Sequence, residues 1–487
     1  MHRLQVSAAA SGLLILLLAT PAAFADEDGL HYQPHVGFSH GDHHADLRLE
    51  FRYRWADWKA FSQKSDAFHG LRTRFALDYR FRKRFRLFAQ GQQTAVLGLS
   101  GNSSGAGGLY RANNNGKDNP GSVRVSQLFA QFDPTPDAQI RVGREFVKLG
   151  TLVEYDEPNW KFLKAKRLSQ RLLGTVGWTH GERAYDGVTA RLGLDGHLFH
   201  AFVSEPTTGV FVVDKDAYKS QKHVIVGGLD WTAERGTFFD DSEVGGFLIG
   251  YSDDRNPAKV AGLFGNITVV TLGGSWLGVY PAGPGRVDAL LWGAFQFGKY
   301  KDAGPTSGVR NRDQRAGALI AEVGYQLPDV WSKPWLRFGV NWASGDSNLD
   351  DDDRNTFFNI LPTNHMYYGY LDQFAFQNLI DLLVQLKLAP VGKLGLELAY
   401  HRFWLQEDAD FRWSGTGAFS RVNLGYVRNA QNGSTDVGHE LDLVASYPLN
   451  RWLTVSAGYA HLWGGKVFNG LPDDDASFGY VQAAFKY

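Results

Sequence analysis

Residues 46–55 read DLRLEFRYRW, and every second side chain is apolar or aromatic. Leu47, Leu49, Phe51, Tyr53 and Trp55 share one face, while Arg48, Glu50, Arg52 and Arg54 share the other. A helix, repeating about every 3.6 residues, cannot separate these two sets; a strand separates them completely. Residues 71–81 repeat the pattern, with Leu71, Thr73, Phe75, Leu77, Tyr79 and Phe81 set against Arg72, Arg74, Asp78 and Arg80. Comparable runs recur at 380–388, 394–400, 441–447, 453–461 and 479–487. The chain is built from two-faced strands, one face apolar and the other ionised.

The connections alternate in length. Short turns marked by Pro, Gly or charge (82–83, 133–137, 195–196, 281–285, 328–331, 389–392 and 448–451) are interleaved with long polar stretches (98–121, 148–183, 205–221, 253–265, 345–373, 406–435 and 464–475). Short turns at one rim and long loops at the other are the pattern of an outer-membrane barrel. Strand starts fall near 46, 70, 84, 122, 138, 184, 197, 222, 244, 265, 286, 309, 333, 374, 393, 436, 451 and 477. The seventh to ninth are the least regular, so sixteen strands is the alternative to eighteen. The predicted fold class is all-β, a transmembrane antiparallel β-barrel with short periplasmic turns and long extracellular loops.

A soluble secreted β protein is the competing fold, and two features oppose it. Aromatic residues stand at strand ends (Trp55, Tyr79, Tyr400, Trp404, Tyr447, Trp452, Tyr459, Trp463), where interfacial girdles sit. The opposite face carries Arg, Glu, Asp and Gln at strand centres. A small soluble core would bury these at several kcal/mol per unpaired charge. A wide water-filled lumen is expected to solvate them instead.

The N-terminus reads as a secretory signal peptide. Arg3 precedes the apolar run 13–18, and Ala23-Phe24-Ala25 forms a cleavage site before Asp26-Glu27-Asp28. The expected organisation is a signal peptide over 1–25, a His-rich periplasmic segment over 26–45 and the barrel over 46–487, in the outer membrane of a Gram-negative cell. The chain has no Cys, which excludes disulfides, thiolate metal sites and thiol nucleophiles. Its 50 Lys+Arg balance 51 Asp+Glu, so there is no basic footprint for nucleic acid.

Several segments resemble the bacterial alginate export family. They are Ile140-Arg141-Val142-Gly143-Arg144-Glu145, Ala184-Tyr185-Asp186-Gly187-Val188 and LDQFAFQNLIDL at 371–382. The most specific is Ala399-Tyr400-His401-Arg402-Phe403-Trp404, followed after a loop by Gly438-His439-Glu440-Leu441-Asp442-Leu443. The resemblance is spread over residues 45–487. It implies an eighteen-stranded barrel exporting an anionic polysaccharide, with a periplasmic scaffold of a secretion complex as a partner. The family's characterised exporter is basic in the stretch matching 366–377; here that stretch reads MYYGYLDQFAFQ, without Arg or Lys.

By alternation Arg48, Arg52, Arg54, Arg72, Arg74, Arg80, Arg124, Arg141, Arg337 and Lys387 face inward. Arg144 joins these pore-lining candidates, although Gly143 beside it can begin a bulge that changes its face. Guanidinium groups stay charged and bind carboxylates through two parallel hydrogen bonds, which suits a polyanion. The competing role is a wall of ion pairs, with Glu50, Asp78, Glu397 and Asp442 as partners. His31, His35, His40, His43 and His44 read as a solvated periplasmic tail rather than a metal site, because their spacing is irregular. The acidic runs 350–353 and 473–475 read as solvated loop charge rather than Ca²⁺ loops of defined spacing. Gly101-Asn102-Ser103-Ser104-Gly105 lacks the strand-to-helix setting of a nucleophile elbow.

These observations predict a passive channel without cofactor or enzymatic activity, surrounded by outer-membrane lipid. Its substrate is an anionic polysaccharide, or small anions if it serves as an uptake porin. In the terminal segment Val481, Ala483, Phe485 and Tyr487 alternate to a final aromatic residue, resembling the signal read by outer-membrane assembly machinery. Deleting residues 481–487 is expected to abolish outer-membrane insertion. Membrane fractionation with a heat-modifiability gel checks this; truncated chain at normal levels in that membrane contradicts it.

Overall fold

The architecture was established from a computed structural model, which describes residues 36–61, 65–255, 264–415, 428–429 and 432–487. Eighteen long strands follow one another: β1 (His43–Ala60), β2 (Asp66–Phe81), β3 (Phe85–Leu97), β4 (Gly121–Thr135), β5 (Ala138–Glu145), β6 (Arg183–Leu194), β7 (His197–Gly209), β8 (Val224–Ala233), β9 (Ser242–Asp253), β10 (Phe264–Ala282), β11 (Gly285–Ala303), β12 (Val309–Gln326), β13 (Ser332–Ala343), β14 (Leu379–Ala389), β15 (Gly395–Trp404), β16 (Asp436–Pro448), β17 (Leu453–Gly464) and β18 (Ala476–Lys486). Each pairs antiparallel with the next, and β18 returns to β1, with Glu50 opposite Lys486 and Ala60 opposite Ala476. The sheet is closed, so no barrel strand leaves an unpaired edge. All eighteen expected strands are present, including the irregular seventh to ninth, which excludes the sixteen-stranded alternative.

The in/out alternation follows the expected parity. Leu47, Phe75, Leu291, Leu319 and Leu443 are exposed on the outer face, whereas Arg52, Arg72, Gln296 and Glu440 are buried inside. Short turns close one rim. Asp195-Gly196 adopts positive φ at both residues (46° and 78°), as a two-residue hairpin turn requires. Arg82-Lys83 does the same at 52° and 55° without glycine, a strained choice for such residues. Before β1, a short strand Val36–His40 pairs back on residues 43–47. The expected solvated tail is thus ordered from Val36 onward, and His43 bonds the Tyr79 hydroxyl at 2.6 Å. The signal peptide, His31 and His35 lie outside the described residues.

The long loops depart most from expectation. Two of them, 146–182 and 344–378, turn into the barrel and pack on each other. Gly174 N donates to Leu361 O and Leu361 N to Leu172 O, each at 2.9 Å. Their Trp160, Leu163, Leu173, Phe357, Phe358 and Phe376 join inward side chains of the wall, such as Val226, Ile249, Leu290 and Ile320, in one buried cluster. The expected water-filled lumen is therefore corrected to one that two loops occupy as a plug, apolar where it meets the long-loop half of the wall. The physical reason lies in the long-loop half of the wall, where inward positions such as Trp58, Phe68, Val226 and Ile249 are themselves apolar and need cover. Each such side chain contributes about 1.5–3 kcal/mol when removed from water.

Parity on the outer face is testable by depth. Leu443 is near the middle of β16 and Leu396 is the second residue of β15. Leu443→Arg is expected to cost about 2–4 kcal/mol and Leu396→Arg about 0–1 kcal/mol, because the penalty falls toward the interface. Urea unfolding in lipid vesicles, followed by tryptophan fluorescence, measures both; equal costs contradict the assigned depths.

Candidate functional site

The plug tip, residues 176–182, rests on the inward arginines of β1 and β2. Arg52 donates to Gly177 O (2.9 Å) and Thr179 O (2.6 Å), and Arg54 donates to Trp178 O (2.9 Å). The Arg54 guanidinium also lies 3.3 Å from the Trp178 ring centroid, and the other face of that indole stacks on His365 at 3.9 Å. Arg72 bridges Glu50 (2.5 Å) and Glu182 (3.2 Å). Arg74 binds the same Glu182 and donates to Gln92 at 2.7 Å. Gly70 stands on this inward face, and a Cβ there would collide with the His180 ring, so close seating of the tip requires glycine. Arg48, Arg52, Arg72 and Arg74, on neighbouring strands, are expected to form one positive patch; Arg52, Arg72 and Arg74 do meet, joined by Arg54, and hold the plug, whereas Arg48 pairs with Asp78 away from the tip.

The far wall grips the base of the plug. Helix α1 (Gly105–Asn113) precedes it, and a short helix α2 (Pro158–Leu163), opened by Pro at its first turn, runs on into a π-helical turn at Lys164–Leu168. From this turn Lys164 pairs with Glu243 at 2.5 Å, and Arg167 reaches Glu322 at 2.6 Å. Arg171 (3.0 Å) and Arg337 (2.9 Å) bind the same carboxylate, and Arg337 also binds Asp288 at 2.9 Å. All these groups are buried. Removing one partner from such a network costs about 3–5 kcal/mol, since it strands a charge away from water.

The remaining candidates are scattered. Arg48 (2.7 Å) and Arg80 (3.3 Å) share Asp78 near the short-turn rim, together with Arg86 (2.7 Å). Arg124 donates to Lys215 O at the long-loop end. Arg141 binds Glu145 (3.0 Å) and Gln131 (2.9 Å), and Lys387 binds Glu397 (2.7 Å). Arg144 is a correction: it shares the outward parity of Ile140 and Val142, pairs with Asp186 at 2.6 Å, and does not face the lumen. Three of the four acidic partners expected for an ion-pair wall, Glu50, Asp78 and Glu397, pair with those cations; Asp442 instead lies 3.8 Å from His401. The stretch 366–377 is inside the barrel, with Leu371 N donating to Glu440 at 3.0 Å and Tyr370 N to Asp442 at 3.3 Å.

Arg86, Arg167, Arg171, Glu182 and Glu322 were missed by sequence reasoning. Arg86 follows the parity rule and was legible. The others sit in a loop, or pair with one, and loop direction has no period to read.

A sequence model of the family described as "Alginate export" matches residues 43–481. No curated protein sequence matches this chain. Among solved structures, the outer membrane protein opdK from Pseudomonas aeruginosa superposes with a TM-score of 0.54 at 12% identity, covering 91% of this chain and 99% of that one. OccAB1 of Acinetobacter baumannii gives 0.56 at 11% identity, with 91% and 96% coverage. OccK8 (OprE) of P. aeruginosa gives 0.54 at 13%, with 91% and 98% coverage. At these identities the likeness is one of fold.

Glu182 offers a test of the tip contact. Burial pushes its carboxyl up, but Arg74 and Arg72 together outweigh burial and hold it below the ordinary 4.5. Its contribution is therefore complete above pH 4.5 and is lost only as pH falls through the lowered folded value. The Glu182 contact is thus expected to add no pH dependence to the resting conductance between about pH 5 and 8. Glu182→Gln, which strands buried guanidinium groups at a cost of about 3–5 kcal/mol, is expected to loosen the tip and raise that conductance. Planar-bilayer recording across this range measures both effects.

Proposed function

The chain belongs to the alginate export family, and on that premise we propose that it is an outer-membrane channel through which an acidic polysaccharide leaves the periplasm passively. Its family and fold are those of outer-membrane channels. The observation that carries the finer reading is the nature of the bonds at the plug tip. Arg52, Arg54 and Arg72 hold the segment through carbonyl oxygens of Gly177, Trp178 and Thr179. A polymer carboxylate is a stronger acceptor than a neutral carbonyl and presents two oxygens to one guanidinium. Polymer arriving from below could exchange for the tip without leaving a buried cation unpaired. Weak, repeated contacts of this kind let a chain enter and still leave.

A second reading, uptake of small anions, has its own support. One solved OpdK structure carries vanillate. In addition, residues 366–377 line the interior without a basic residue. Both readings require an anion path, and they differ in the size of the solute and the direction of travel.

Reversal potentials under a KCl gradient test the anion path. The wild type is expected to prefer anions, less so at high salt, because the Debye length falls from about 10 Å at 0.1 M to about 3 Å at 1 M. Replacing Arg48 and Arg80, whose side chains are 32% and 50% exposed, with Glu should reduce or reverse the preference. Polyuronate should block the wild type. A cation-selective wild type, or one indifferent to both substitutions, overturns the proposal.

A further inference from the structure

On the short-turn half of the wall, one row of inward residues crosses four strands at the same height. The register places Gln139 of β5 opposite Arg191 of β6, Arg191 opposite His200 of β7, and His200 opposite Asp230 of β8. Their sequence neighbours Ile140, Leu192 and Phe199 are exposed on the outer face, so alternation turns the row toward the lumen. Arg191 and His200 each stand four residues from the Asp195-Gly196 turn, on the order of 10 Å from the rim. Gly150, in the plug loop, donates to Asp230 at 3.4 Å, so the row ends against the plug, and it stands on the short-turn half of the wall.

Three of the four residues in this row, Gln139, Arg191 and His200, have unmet polar groups. His200 is 3% exposed, yet its Nδ1 has no hydrogen-bond partner. The buried Oε1 of Gln139 has none either. Among the described residues Arg191 makes no hydrogen bond, and no carboxylate oxygen comes within 4.0 Å of its guanidinium. The nearby carboxylates are otherwise engaged. Glu145 accepts from Arg141 at 3.0 Å and from Thr189 at 2.6 Å, and Asp230 faces Gly150. A half-buried guanidinium beside an orphaned imidazole donor and an orphaned amide acceptor costs free energy unless something binds there.

We propose that Arg191, His200 and Gln139 form a subsite for one uronate unit of the polymer at the periplasmic entrance. The assignment rests on the reading of the chain as a polyuronate channel. The chemistry of the three groups selects the ligand. Arg191 takes a carboxylate through two parallel hydrogen bonds, and His200 with its proton on Nδ1 supplies a third. Gln139 Oε1 has an acceptor to offer, and a sugar hydroxyl supplies the donor. A uronate carries both functions on one ring. Chloride lacks the hydroxyl, and a neutral sugar lacks the charge. The subsite gives the polymer its first hold on the wall before it reaches the arginines beneath the plug tip.

The test is block of current in planar bilayers holding the full-length barrel in one orientation. An alginate-derived oligouronate, or its methyl ester, is added to one side at a time. The wild type is expected to be blocked by the oligouronate from the short-turn side, and at least tenfold less by the ester. In Arg191→Gln the blocking constant from that side should rise about tenfold. Gln139→Leu, which keeps the guanidinium, should raise it about threefold and serves if the arginine variant does not assemble. Wild-type block with an unchanged constant in both variants overturns the subsite and leaves the channel reading standing. A wild type that the oligouronate blocks from neither side overturns the subsite and the channel reading together.

Discussion

From Glu50 opposite Lys486 to Ala60 opposite Ala476, consecutive register pairs join the last strand to the first. Everything else in the molecule depends on that seam. In hydrocarbon a backbone amide has no water to bond, so a sheet can cross only if its two edges satisfy each other. Closure then forces one face of every strand toward lipid and the other toward an enclosed space. The outer face is accordingly apolar, with Phe75, Leu319 and Val481 exposed. The ionised side chains have only the interior left to occupy.

An eighteen-stranded ring encloses more volume than wall side chains can fill. Here two loops occupy it, and their attachment divides the interior into two regimes. Toward the long-loop rim, apolar wall positions such as Val226 and Ile249 share one buried cluster with Phe358 and Trp160 of the plug. Toward the short-turn rim, the wall is charged, with Asp78 holding Arg48, Arg80 and Arg86. Between them, arginines from wall and plug meet Glu50, Glu182 and Glu322. A plug fixed only by apolar packing would have no reason to yield to an anion. One whose tip is held in part by guanidinium-to-carbonyl bonds, beside the Glu182 ion pairs, has such a reason, because those bonds are of the kind an anionic solute makes more strongly. The row at Arg191 and His200 extends the same logic to the mouth below.

Much of the barrel was legible from residues alone. Alternation in 46–55 and 71–81 placed Arg52, Arg54, Arg72 and Arg74 inward, because a period of two leaves no freedom of face once a strand is assigned. Arg144 escaped this rule for a local reason. Its sequence context left its face open at Gly143, which has φ of 134°, and only the pairing of Leu128 with Arg144 and Phe129 with Gly143 settles it. The apolar inward positions near the long-loop rim were also visible, since 224–226 read VIV with no polar alternate. Such a strand end is apolar on both faces and needs cover on both, a signal that something enters the barrel there.

The amino-acid sequence by itself determined the antiparallel barrel, the lipid-facing set and the rim that carries the long loops. These follow from periodicity and turn chemistry, which act over a few neighbouring residues. The choice of eighteen strands over sixteen and the seam came from the pairing of β18 with β1. Only the tertiary structure decided where the loops go and what the charges do. Arg72 and Glu182 are 110 positions apart, and Arg167 and Glu322 are 155 apart. Whether such groups meet depends on the direction of a loop. That direction is set by the balance between burying its apolar residues in the barrel and leaving them in water, a balance summed over the whole interior and written in no local pattern.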